Sequence, residues 1–183
     1  MKYELVTGDT ITENGNTLYR VRRLSDGVLG GYIQSVANLS QEGSCFLFND
    51  SKIYGNARVI GDAQIYGVVR DNASVSGHVQ IYGMVRDNAS VSDHAQIRGV
   101  VRGTAKISGH ARILGEIFEG ATVFGSTEVR GKVYGNATVM DNGQVFGEAF
   151  DESAVKENSI VYGRIFGHAV ASGNEVVSGD KYE

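Results

Sequence analysis

The chain has 183 residues, a length that fits one domain, and holds 25 Gly, no Pro, no Trp and one Cys. Glycine, at about 14% against the ~7% of average usage, lacks collagen's three-residue period, and the single Cys45 excludes a disulfide framework and a multi-cysteine zinc site. A formal charge of −4, from 17 Lys and Arg against 21 Asp and Glu, makes a nucleic-acid partner unexpected, and no apolar run could span a bilayer.

The opening Met1-Lys2-Tyr3-Glu4-Leu5 lacks the apolar segment of a secretory leader, so a reduced, cytoplasmic setting is expected. Residues 1–38 read as strands at 3–6 and 17–24, with turns at Glu13-Asn14-Gly15-Asn16 and Ser25-Asp26-Gly27. They are expected to form a β cap on the N-terminal end of the core. Residues 39–52, with Leu39, Cys45 and Leu47, read as an irregular first coil.

From residue 53 to the end the pattern is strict. Aliphatic residues recur with a 6-6-4 stride: Ile53, Val59, Ile65, then Val69, Val75, Ile81, and so on to Ile165, Ala171, Val177. Of the 24 marked positions, 22 are Ile or Val and two are Ala, and no helical period produces that spacing. A glycine follows two residues after the third aliphatic of every unit, from Gly67 through Gly99 to Gly179. A small residue sits four after the first, as at Ala57, Ala73 and Ser153. Eight stacked 16-residue coils satisfy all three columns. Each coil buries its apolar side only when neighbours stack on it. The fold class is therefore all-β: a single-stranded, triangular parallel β-helix of about eight coils. Corners fall at segments such as Gly55-Asn56-Ala57 and Gly61-Asp62-Ala63, and a tight bend at the column glycines, which are expected to point inward. At the C-terminus Gly179-Asp180-Lys181-Tyr182-Glu183 reads as an end without a cap, a liability unless charge or a second subunit covers it.

Segments such as Ile53-Tyr54-Gly55-Asn56-Ala57-Arg58-Val59 and Ile107-Ser108-Gly109-His110-Ala111-Arg112-Ile113 resemble the hexapeptide-repeat superfamily of left-handed β-helices. The nearest likeness is to YdcK-like proteins, a group found in bacteria and phages. The likeness extends through Gly30-Gly31-Tyr32-Ile33 and Asn38-Leu39-Ser40-Gln41-Glu42-Gly43-Ser44-Cys45. It implies a left-handed coil. Acyltransferases of the superfamily usually carry Gly directly after the aliphatic in 18-residue coils, whereas here Gly is commonly second and the coil has 16.

Three outward columns are candidates for function. His78, His94 and His110 stack in a corner column that also holds Asp62, Ser126 and Asn142. They read as turn residues; in the acyltransferase alternative one of them would be the general base, acting on acyl-coenzyme A at a subunit interface. His168 lies in another corner column, beside Asn56 and Asn136 in the stack. The column after the first aliphatic switches from Arg70, Arg86, Arg102 to Phe118, Tyr134, Phe150, Phe166. The arginines could take an anion or an acidic partner, with Asp71 and Asp87 neutralising two of them. The aromatics look like a subunit or partner contact. The expectation is a non-enzymatic binding or scaffold solenoid that forms homo-oligomers through its C-terminal coils or docks a protein partner. No cofactor or metal is expected.

Overall fold

The computed structural model describes residues 1–183 and contains no helix. Three sheets, parallel throughout the coils, run the length of the molecule with twelve, nine and eight strands, here called sheets A, B and C in chain order around a coil. Sheet A has the twelve strands, sheet B the eight and sheet C the nine. Each coil gives every sheet one strand of two residues or little more, in register with the residue sixteen on: Met84 pairs with Val100 and Val85 with Val101. The faces alternate as a pleated strand requires, so all 24 marked aliphatic positions are buried, within one continuous cluster of 42 residues. The ladder between coils is regular. The Arg70 amide donates to the Val85 carbonyl at 3.0 Å, and both Tyr66 and Gly67 amides donate to the Ile81 carbonyl at the tight bend.

The N-terminal segment extends sheet A. Strands β1 (Tyr3–Glu13) and β2 (Asn16–Arg23) form an antiparallel hairpin, and β3 (Leu29–Ile33) is antiparallel to β2. On its other side β3 is parallel to β5 (Lys52–Ile53), after the short β4 (Phe46–Leu47) in sheet C. A first, wider coil thus begins at Ile33 and turns through Leu39, which bridges to Val59, and Leu47, which pairs with Ile65. It adds a turn to the eight regular ones, giving about nine, and β3 belongs both to the cap and to that coil.

Tyr3, Val21 and Phe46 are fully or almost fully buried and close the N-terminal end of the core. The Tyr3 hydroxyl donates to the Leu39 carbonyl at 2.6 Å. Tyr54 lies on the outer side of sheet A and is still buried, because Leu18 and Tyr32 pack on it and the Asn14 side chain donates to its hydroxyl at 3.1 Å.

The glycine column has a different cause from the inward crowding expected of it. None of these glycines has a left-handed φ. A Cβ on Gly99 would point along the solenoid axis and overlap the carbonyl oxygen of Gly115, one coil on; Gly67, Gly83 and Gly131 meet the next coil in the same way. The coils approach so closely at this bend that only hydrogen fits.

The left-handed positions lie at the two other corners. Both corners of every regular coil carry positive φ at their first residue, from Gly55 and Gly61 to Gly167 and Gly173. Where that residue is not glycine it is Asp or Glu, and in all seven cases its carboxylate accepts the amide sixteen residues on. Asp87 takes the Gly103 amide at 3.0 Å, Glu119 that of Gly135 at 2.8 Å and Asp141 that of Glu157 at 3.2 Å. A non-glycine residue in this conformation costs roughly 1–2 kcal/mol. A charge-assisted bond to an amide that the backbone ladder leaves unpaired offsets it.

The packing at the bend makes a sharp contrast testable. Gly99→Ala must push adjacent coils apart and is expected to cost about 2–3 kcal/mol or more. Gly8→Ala, where nothing lies within 4 Å of the new Cβ, is expected to be neutral. Thermal melts of both variants check this, and equal melting temperatures would disprove the close-approach account. A second expectation concerns Tyr3, whose hydroxyl is pushed up to about 12, chiefly by burial and further by the neighbouring Cys45, against a hydrogen bond with Gln41. The folded state keeps a proton that the unfolded chain loses near pH 10, so stability present below pH 10 is lost as pH rises towards 12. Urea midpoints across pH 9–12 should fall for the wild type and fall less for Tyr3→Phe.

Candidate functional site

The outward columns decide what the solenoid can present. On a rigid scaffold of parallel coils, side chains sixteen apart stand above one another and interact as cross-strand neighbours. His78, His94 and His110 do so. Their rings are parallel within 11° and 4°, with centroids 5.0 and 4.9 Å apart. The stack lies on an exposed corner, and the carboxylate of Asp62, one coil before, is 3.4 Å from His78 Nδ1. Asp62 itself is held below the usual carboxylate range by bonds from the Ser44 hydroxyl and amide. The three rings meet face to face along the corner. The surface cavity of about 340 Å³ lies elsewhere, between the Ser35–Asn38 turn and the Gly55–Arg58 corner. His168 is exposed and faces Glu152 at 3.2 Å.

The arginine column is divided. Arg70 pairs with Asp71 at 2.9 Å and Arg86 with Asp87 at 3.1 Å, while Arg102 lies 4.2 Å above the Phe118 ring. The Gly103 amide, more than any other group, holds the Asp87 carboxyl below its usual range, and Arg86 adds to this. These two aspartates therefore join coil to coil as well as neutralising their arginines.

Phe118, Tyr134, Phe150 and Phe166 form the continuous stack that the column implies, with centroids 4.8–5.0 Å apart and rings parallel within 5°. Tyr182 adds a fifth ring at 5.2 Å. The rings cover one another's faces and leave their edges half-exposed. Beside them an ion-pair ladder joins Lys132 to Glu148 at 4.0 Å and Arg164 to Asp180.

A second stack lies outside the columns singled out in the sequence. The residue just before the column glycine, at the bend leading into sheet A, stacks Phe48 on Tyr66 and Tyr66 on Tyr82, with Arg98 over the Tyr82 ring at 5.3 Å. Further along, Phe146 stacks on Tyr162, with Arg130 over the Phe146 ring at 5.3 Å. Between these stands Leu114, 38% exposed. The same sixteen-residue count applied to the position before each glycine would have found this column.

Sheet A, with the bend column it shares with sheet C (the Tyr66 hydroxyl donates to Gln64 and Arg130 bonds Glu128, both in sheet C), presents three outward residues per coil from Tyr66 to Tyr182. Fifteen of these twenty-four positions are aromatic or Arg. Apart from Tyr54, which the cap buries, the regular coils carry one aromatic outside these positions, Phe124. The outward positions flanking the strands of sheets B and C are half Ser, Thr or Gln, with Ile60, Phe124, Val170 and Val176 exposed among them, and Asn and His gather at their corners.

A family model described as the YdcK Beta solenoid repeat matches residues 51–67. That stretch is similar to one YdcK-type solenoid repeat. The matched stretch is one turn, from Ser51 beside β5 to the first column glycine, Gly67, and the seven coils after it keep the same spacing. Match and fold are together consistent with a YdcK-like β-helix protein. No curated protein matches the chain. The repeat accounts for the scaffold and assigns no activity.

The stacked histidines generate a prediction. Calorimetric titration with acetyl-coenzyme A is expected to give no heat that His94→Asn alters. Saturable binding lost in that variant would establish the acyltransfer alternative.

Proposed function

We propose that this chain is a non-enzymatic binding solenoid, with the outer face of sheet A as its docking surface for a protein. The observation that carries this reading is the concentration of aromatic and Arg side chains on sheet A and the bend beside it. Interface centres are enriched in Tyr, Phe, Met and Arg, and energetic anchors more so in Tyr and Arg. Stacking within the sheet alone would give no reason for one face to be favoured. Eight coils at ~4.8 Å rise to roughly 38 Å, and three columns with their side chains span roughly 17 Å. The face is then about 650 Å² per partner, near the ~800 Å² of a standard specific interface. The scaffold is held by backbone bonds at every coil, so its columns are ordered before a partner arrives and little entropy is lost on binding.

The test is face-specific cross-linking. The photoreactive p-benzoylphenylalanine replaces Phe150 on sheet A in one variant and Phe124 on the Ser/Thr-rich face in another. In cells of the native host, adducts are expected from position 150 and not from position 124. An adduct of twice the chain mass would make the occupant a second copy, as expected of a homo-oligomer through the C-terminal coils. Any other mass would make it a different protein. Equal labelling from both positions, or none from 150, would overturn the docking-face reading.

A further inference from the structure

We propose that the face docks an acidic, extended segment of another protein, and that Arg98 and Arg102 are its anchors. The proposal rests on the docking-face reading and adds the chemistry of the partner. Most cations of the face are already engaged. Arg70 and Arg86 hold their neighbouring aspartates, Arg130 holds Glu128 at 2.5 Å, Lys132 faces Glu148, and Arg164 holds Asp180. Arg98 and Arg102 have no carboxylate partner. Each lies on an aromatic ring, and they reach in opposite directions along the axis, Arg98 back to Tyr82 and Arg102 forward to Phe118. Their coil is where the first stack at the bend ends and the long aromatic stack begins.

That placement gives a defined site. A guanidinium held over a ring keeps its N–H fork free and loses less freedom on meeting a carboxylate, which it can engage through two parallel bonds. The two arginines lie on either side of the strand Val100–Val101, Arg98 at the tight bend before it and Arg102 after it. Between them lies the half-buried Val100, and the exposed Leu114 stands directly above Arg98 in the next coil, so that the two form an apolar floor beside the arginines. An extended segment with an apolar residue over that floor and carboxylates on either side matches both features. Glu116, which pairs with Val100 in the sheet, lies on the central column and would repel an acid there, so the partner's carboxylates belong at the two outer columns.

Charge distinguishes this occupant from two others. Five of the seven cations of the face are met by carboxylates, three of them (Asp71, Asp87 and Glu128) outside the twenty-four positions, so the cations left unmet are Arg98 and Arg102. A second copy would bring its own unmet Arg98 and Arg102 to the face, with Glu116 as the one unpaired carboxylate among the twenty-four positions to answer them. A nucleic-acid strand would meet the charge, but the stacked rings, 4.8–5.2 Å apart in the long stack, show edges and not the open faces on which bases stack.

The experiment measures fluorescence anisotropy of a labelled twelve-residue peptide of alternating Glu and Leu. An alternating Lys and Leu peptide and oligodeoxythymidine serve as the competing classes. The wild type is expected to bind the Glu-Leu peptide, more weakly as salt rises. Arg98→Glu with Arg102→Glu should weaken binding at least tenfold, and Arg58→Glu on sheet B should leave it unchanged. If circular dichroism shows the reversed pair misfolded, Arg98→Gln with Arg102→Gln replaces it, with a loss of about threefold or more expected. The proposal is overturned if the wild type does not bind the Glu-Leu peptide, if the variants bind it equally, or if either competitor binds more tightly. Cross-links from position 150 alongside arginine-independent peptide binding would refute the acidic anchor and leave the docking face standing.

Discussion

The close stacking of one coil on the next, bonded amide to carbonyl every sixteen residues, is the constraint from which the other features follow. It brings the coils near enough at the third bend that the position must be glycine, since any Cβ at Gly67 or Gly99 would enter the next coil's carbonyl. It leaves an amide unpaired at each left-handed corner, which Asp71, Asp87, Glu119 and their counterparts take up with a side chain. It also sets aromatic rings at the separation where they can stack, so that outward columns become continuous ladders instead of isolated side chains.

The same constraint explains why surface chemistry on this scaffold is difficult to read as function. A histidine, an asparagine or a phenylalanine repeated at sixteen-residue intervals meets its own kind and gains stability from doing so. The Asn56–Asn72–Asn88 ladder, with side-chain bonds of 2.9 and 3.0 Å, needs no ligand to account for it. The parallel histidines belong to the same class of feature. Function has to be sought where stacking alone does not predict the arrangement. Sheet A differs from the other two faces in that way, and within it Arg98 and Arg102 differ from the cations whose charge is already met.

The cap shows how the scaffold is started. A hairpin continues sheet A past the first coil, and its buried Tyr3 and Val21, with Phe46, replace the missing neighbour of that coil. Its tip folds over the outer side of the sheet and buries Tyr54. The usable docking surface therefore begins about one coil further along than the column of outward residues alone would indicate.

The coil length, the three buried columns, the glycine column and the aromatic and arginine columns were all legible in the sequence, because a stacked repeat converts a linear period directly into vertical neighbours. The partners of individual side chains were not. Whether Arg70 faces a ligand or Asp71, whether Gly99 is crowded from the core or from the next coil, and whether Tyr54 is on the surface depend on how closely the coils approach and how the hairpin folds back. The irregular 33–53 turn was partly hidden for a related reason: it breaks the period that makes the others visible. A one-dimensional repeat determines which residues share a column. Only the three-dimensional spacing of coils and cap decides which of them are left with unsatisfied charge or exposed edges for a partner to meet.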